Sequence, residues 1–213
     1  MNRTPAYMVG ALLLIALGIV MLLVTLGVIE TGADLVFGIL FITGGLVFLA
    51  VLLGNTKLNW WAVIPGFVLI AIGLIIPFGD ALGDWAGTLI LGAIALSFLV
   101  VYLLQRSFWW ALIPAGILAT LAILIGLESA AGLPGALFPG LMFLGFGLTF
   151  IALYFLPTAA GRLRWAIWPA GVMLIMGFIM SLTTASTLNW FWAVALILGG
   201  GYLVYRSIAA SRR

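Results

Sequence analysis

The chain has 213 residues, of which 66% are hydrophobic and only 6% charged, with a formal net charge of +3 and a mean hydropathy of +1.40. A soluble globular domain carries roughly 25% charged residues, so a soluble fold is excluded. Histidine and cysteine are both absent, which removes the commonest general base, thiolate metal sites, disulfides and cysteine nucleophiles.

Runs of about 20 apolar residues are what a bilayer core of roughly 30 Å requires of a helix, and eight such spans are predicted. The first, Pro5 to Val28, follows Arg3. Its apolar stretch exceeds the roughly 7 to 15 residues of a signal-peptide core and no small-x-small cleavage site follows it, so it is expected to stay as a span. The second runs from Leu35 to Leu53, and the third, Trp60 to Phe78, opens on "WWAVIPG". A Gly-rich turn, "FGDALGDWAG", leads to the fourth at Trp85 to Leu104, where Asp84 is a candidate N-cap. The fifth, Trp109 to Leu127, opens on "WWALIPAG"; the sixth runs from Leu137 to Leu156. The seventh, Trp165 to Leu182, opens on "WAIWPAG", and the eighth extends from Asn189 to Tyr205. The connections are short, so residues 1–213 read as a single transmembrane domain.

Charge sets the expected orientation. In the eight-span arrangement all eight basic residues fall on one side: Arg3, Lys57, Arg106, Arg162, Arg164, Arg206, Arg212 and Arg213. The five acids, Glu30, Asp34, Asp80, Asp84 and Glu128, fall on the other. Short loops rich in Lys and Arg stay cytoplasmic, which places both termini inside. Scattered one or two per loop, the cations read as topology determinants and not as a nucleic-acid patch. Trp60, Trp61, Trp109, Trp110, Trp165 and Trp168 stand near the inner starts of the third, fifth and seventh spans, where aromatic rings anchor at headgroup level. Trp85, Trp190 and Trp192 supply the outer belt.

The three proline phrases belong to a longer pattern. Setting Pro65, Pro114 and Pro169 in register, with Gly10 in the matching place of the first span, puts a small residue eight positions later each time: Gly73, Ala122, Gly177 and Gly18. The helices that follow also resemble one another, since "LVFLAVLL" from Leu46, "LSFLVVYLL" from Leu96 and "LTFIALYFL" from Leu148 carry an aromatic at the same step. The pattern predicts four helical hairpins of like orientation, approximately 5–54, 55–105, 106–157 and 162–206. An even number of spans per unit preserves orientation, which disfavours the in-plane axis of inverted-repeat transporters. Proline in the first turns is tolerated because its missing N–H is unpaired there in any case.

Small pairs four apart allow close helix approach: Ala115 with Ala119, Gly116 with Thr120, Ala122 with Gly126, Gly145 with Thr149, Gly177 with Ser181 and Ala195 with Gly199. Polar groups within the spans are confined to residues such as Thr88, Ser97, Thr120 and Thr149, which can satisfy themselves on a preceding carbonyl. An ionisable group at mid-membrane usually marks a transport path, and none is placed there. The acids read as boundary residues, and no catalytic, cofactor or metal site is expected.

The basic residue followed by "WWALIPAG" or "WWAVIPG" and an apolar hairpin resembles uncharacterised bacterial multi-pass membrane proteins. More distantly it is similar to the Trp- and Gly-rich hairpins in the membrane regions of Lia-type envelope-stress proteins. That resemblance implies a bacterial inner-membrane location and an envelope role, with no catalytic residues. The expected function is a non-catalytic scaffold or accessory subunit that contacts membrane lipids, copies of itself or a membrane-protein partner. The alternative is a channel or carrier for a small neutral or lipidic substrate, which a polar path at the midplane distinguishes.

Overall fold

A computed structural model describes residues 11, 15, 18–27, 32–158, 161–183, 197 and 200. Residues 18–25 are helical and are termed α1. Six longer helices follow: α2 (Ala33–Gly54), α3 (Val63–Leu82), α4 (Trp85–Leu104), α5 (Leu112–Ala131), α6 (Phe138–Phe155) and α7 (Ile167–Thr183). Short 3-10 turns at Trp60–Ala62, Trp109–Ala111, Gly135–Leu137 and Arg164–Ala166 lead into α3, α5, α6 and α7. With those turns included, six helices of 19 to 23 residues are long and apolar enough to cross a membrane. At 1.5 Å per residue their lengths are close to the roughly 30 Å of a hydrocarbon core. The exterior is correspondingly apolar: Ile39 is 65% exposed and Trp168 77%, a surface that water does not tolerate over large contiguous areas. The molecule is an all-α, multi-pass, membrane-embedded protein. The predicted eighth span lies outside the described residues apart from Ile197 and Gly200.

Two predicted ends move outward. The third span was expected to stop at Phe78 and the fifth at Leu127, yet α3 continues to Leu82 and α5 to Ala131, so Asp80 and Glu128 lie in final helical turns and not in loops. Helical hydrogen bonding costs nothing where the chain leaves hydrocarbon for the interface, and the exposed acids remain solvated there. Gly132, with φ 63° and ψ 46°, ends α5 in the left-handed conformation while its N–H donates to the Glu128 carbonyl at 3.0 Å. Asp84 does stand at the N-terminus of α4, but it makes no side-chain capping hydrogen bond. Its backbone is already helical, whereas a capping side chain usually needs an extended residue to turn back onto the first N–H groups.

The helices pack in chain order, α2 against α3 and so on to α7. Among the described residues, helices further apart in the chain share no extensive contact. The result is a row of antiparallel helices. One end of the row carries the connections with Lys57, Arg106, Arg162 and Arg164, and the other carries Asp34, Asp80, Asp84 and Glu128. The best-buried apolar side chains gather at the basic end, in one cluster around Leu52, Val63, Val101 and Tyr102 and a second around Phe150, Leu153 and Ala166. Side chains also tie the connections there: Asn59 Nδ2 donates to the Val51 carbonyl at 2.7 Å, and Gln105 Nε2 to the Lys57 carbonyl at 2.7 Å. After α6 a two-residue ribbon pairs β1 (Pro157–Thr158) with β2 (Gly161–Arg162), Pro157 opposite Arg162.

The closest backbone approaches join helices that the hairpin pattern assigns to different units. In α2 and α3, a Cβ added to Gly38 would stand 2.7 Å from the Gly73 carbonyl oxygen, and one added to Gly45 would stand 2.7 Å from the Gly66 oxygen. In α6 and α7, a Cβ at Gly177 would lie 2.9 Å from the Gly140 oxygen and 2.7 Å from the Leu144 nitrogen. No side chain fits at these separations. Small residues thus bring α2 into backbone contact with α3 and α6 with α7, pairs that the hairpin pattern assigns to different units. Without a hydrophobic drive between helices in lipid, such close packing is a main source of association.

Candidate functional site: an apolar groove across three helices

The proline phrases build a recurring local structure. In each, a 3-10 turn carries an alanine that is 0% exposed, Ala62, Ala111 or Ala166, and the α-helix starts at the next residue. Pro65, Pro114 and Pro169 are each the third residue of their α-helix, within the first turn as expected. The aromatic that the even helices share then meets the tryptophan just before that alanine. Phe48–Trp61, Phe98–Trp110 and Phe150–Trp165 make the same edge-to-face contact, with centroids 5.9, 6.2 and 6.1 Å apart and interplanar angles of 82°, 75° and 73°. Neighbouring phrases also touch, Trp60 meeting Trp110 at 6.4 Å and Trp109 meeting Trp165 at 6.1 Å. The predicted anchors are therefore partly structural: Trp60 and Trp109 are half-buried between helices, while Trp61, Trp110, Trp165 and Trp168 are exposed.

Gly73, Ala122 and Gly177 are all buried, in the contacts between each odd helix and the even helix before it. Gly18 differs: it is exposed, with nothing within 4 Å of an added Cβ. No described helix precedes α1 to supply the matching partner. Arg206 and the pair Ala195 with Gly199 lie outside the described residues, as do Glu30, Arg3, Arg212 and Arg213.

The middle of the row holds a feature that no single motif announced. Over α5, between the flanking α4 and α6, lies a groove of about 730 Å³. Its floor is formed by Ala115, Gly116, Ala119 and Ala122, with walls that include Leu96 and Leu99 from α4 and Leu148 and Leu153 from α6. Small residues make the floor low and leucines make the walls high. The groove opens sideways, its rim marked by exposed Ile123 and Leu148, each 60% exposed.

Two small pairs of the sequence pattern meet at its edge. A Cβ at Gly116 of α5 would overlap Thr149 of α6, and a Cβ at Gly145 of α6 would overlap Thr120 of α5. Each helix places a threonine in the notch of the other, an antiparallel reciprocal fit. Thr120 Oγ1 donates to the Gly116 carbonyl at 2.8 Å and Thr149 Oγ1 to the Gly145 carbonyl at 3.0 Å. These two threonines are the groove's polar side chains, and both are satisfied within their own helices. The rest of the lining is apolar.

Toward the acidic end the groove stops. One turn beyond Gly92 and Ala122, Trp85 and Thr88 of α4 cover Gly126 of α5, with Trp85 Cζ3 and Thr88 Oγ1 and Cγ2 each 3.4 Å from where a Cβ would stand. Thr88 Oγ1 is buried there without a hydrogen-bond partner. At the basic end the groove runs to Leu112 and Leu156, next to the connections that carry Arg106 and Arg162. Arg106 lies over the Tyr102 ring with its Cζ 4.7 Å from the centroid, a cation–π contact that leaves the residue exposed. Asp34, Asp80, Asp84 and Glu128 are all exposed at the far end. Among the described residues, no three acids converge as a metal-binding group would require. Comparison of the chain with protein-family models, curated proteins and solved structures gives no match.

Proposed function

We propose that this protein is a non-catalytic membrane scaffold or accessory subunit of the bacterial cytoplasmic membrane that offers apolar helix faces to lipid or to partner helices. The observation that carries this reading is the apolar groove, whose two threonine hydroxyls donate to carbonyls of their own helices. A channel or carrier for a neutral solute needs polar groups free to replace water along its path. The groove instead offers a surface that is almost entirely apolar. The separation of cations and acids to opposite ends of the row supports a cytoplasmic basic end by the positive-inside rule, and with it cytoplasmic termini on an eight-span chain. The threefold Phe–Trp contact and the three fully buried alanines support an internal repeat.

Two measurements test this. Purified protein in unilamellar vesicles should not accelerate swelling in gradients of small neutral solutes beyond protein-free vesicles, and saturable, protein-dependent entry would favour the carrier. For orientation, the chain contains no native cysteine. Ser107→Cys should therefore label only from the cytoplasm and Ser129→Cys only from outside. Labelling of both from one side would end the proposed topology.

A further inference from the structure

We infer that the groove over α5 is a phospholipid site: it seats one acyl chain of an anionic lipid from the basic-end leaflet, whose phosphate is held by Arg106, Arg162 and Arg164. This rests on the scaffold reading and names the ligand. Its first support is length. On α6 the groove runs from Gly145 to Leu156, about 16 Å at 1.5 Å per residue. That is close to one leaflet, half of a roughly 30 Å hydrocarbon core. A membrane-spanning helix needs a seam twice as long, and Trp85 and Thr88 block its continuation by closing over Gly126. The volume of about 730 Å³ falls in the range of about 300–1,000 Å³ of ligand sites.

The second support is charge. The three helices that form the groove are α4, α5 and α6. At their basic end, the connection between α4 and α5 carries Arg106, and the segment leaving α6 carries Arg162 and Arg164. Arg162 sits opposite Pro157 in the ribbon, and Pro157 directly follows Leu156, the groove residue just past the end of α6. All three arginines are exposed, and the sequence puts no acid in either connection. Exposed arginines in acid-free connections at the basic end of the three groove helices complement a lipid whose headgroup is an anion and whose tail is a hydrocarbon. Arginine favours phosphate because its planar fork can bind two oxygens at once.

The test uses the full chain in vesicles of equal parts phosphatidylcholine and phosphatidylglycerol, with either lipid carrying a photoactivatable acyl chain. Crosslinks from the phosphatidylglycerol probe should concentrate on groove residues such as Ala119 and Ile123 and exceed those from the phosphatidylcholine probe about tenfold. Ala119→Trp, which fills the floor, should remove them. Ala152→Phe, on an exposed part of the wall, gives the same readout should the first variant fold poorly. The combined Arg106→Gln, Arg162→Gln and Arg164→Gln variant should keep acyl crosslinking but lose the preference between headgroups. Crosslinks spread evenly over all helices, or equal for both lipids in the native chain, would overturn the site. So would disulfide or chemical crosslinks showing a second copy or another segment of this chain lying in the groove. A swelling assay on the same vesicles separates the two ideas: solute entry defeats the scaffold reading whatever the lipid result, whereas no entry with no selective crosslinking defeats the lipid site alone.

Discussion

The α2/α3 and α6/α7 pairs and the central α4/α5 pair are built on one plan with different residues. The recurring Phe–Trp contact sets a common register. In that register Gly38 and Gly45 of α2 face Gly73 and Gly66 of α3, and Gly140 and Gly147 of α6 face Gly177 and Leu174 of α7. The matching positions in the central pair are Thr88 and Ala95 on α4, with Ala115 and Ala122 on α5. Where glycines meet, backbones approach more closely than any Cβ permits. Where methyl groups lie between them, the backbones are held apart, and contacts are ordinary: a Cβ at Gly92 would stand 4.0 Å from Ala122 Cβ. Small and large are also exchanged at the acidic end. Gly38 lies against Pro77 and Gly140 against Ser181, but in the central pair the bulk is on Thr88 and the glycine is Gly126. Glycine thus makes the outer pairs close-packed seams, while the alanine-lined middle leaves room for an occupant.

Several substitutions would break or sharpen that contrast. The largest effect is expected at the seam. Gly45→Ala puts a methyl 2.7 Å from both the Gly66 oxygen and Ile70 Cγ1, and overpacking of this kind costs about 1–3 kcal/mol. Gly171→Ala in α7 meets nothing within 4 Å and should gain up to about 1 kcal/mol of helix propensity. Opposite shifts in the thermal midpoint in lipid discs support the seam, and like shifts would dissolve it into simple propensity.

Next comes the reciprocal notch at the groove edge. Gly116→Ala should destabilise by forcing Thr149 aside, and Thr149→Gly in the same chain should recover part of the loss. The double-mutant cycle should give a coupling of about 0.5–3 kcal/mol. Additive midpoints would mean that the two helices yield independently. A smaller loss, about 0.5–1.5 kcal/mol for each ring contact, is expected when Trp165→Leu removes the edge-to-face contacts with Phe150 and Trp109. The same change at Trp61, which meets Phe48 but no second described ring, should cost less than at Trp165. Smallest is Thr88→Val, which replaces an unpartnered buried hydroxyl with a methyl of like shape. It should be neutral or stabilising by at most about 1 kcal/mol; a clear loss would reveal a hydrogen bond that Thr88 makes in the bilayer.

Much of this architecture was legible without coordinates, and the reasons are local. Hydrocarbon demands long apolar helices, so the spans from Leu35 to Leu182 could be placed within a few residues from composition alone. Charges cannot rest at mid-membrane, so cations and acids alike were expected at the connections and helix ends, and the positive-inside rule gave the two ends opposite signs. Proline is tolerated in a first turn, which made Pro65, Pro114 and Pro169 reliable markers of three helix starts. The ends were less legible, as Asp80 and Glu128 show, because helical hydrogen bonding persists into the interface where hydropathy no longer signals it.

What only the tertiary structure decided is which small residues meet and which are left open. Gly73, Ala122 and Gly177 stand in register in the sequence as interchangeable small residues, but a carbonyl oxygen 2.7 Å away distinguishes Gly73 from the alanine at 122. Gly116 with Thr120 and Gly145 with Thr149 were visible as pairs on single helices. Their fit into each other depends on the antiparallel offset of α5 and α6. Likewise Ala115, Ala119 and Ala122 read as ordinary packing until α4 and α6 are placed on either side of them with leucines raised as walls. The sequence of a membrane protein determines how often the chain crosses and which end is basic, since those follow from the solvation of each segment alone. Seams and grooves depend on separations of a few tenths of an ångström between segments, and no local property of either helix contains that distance.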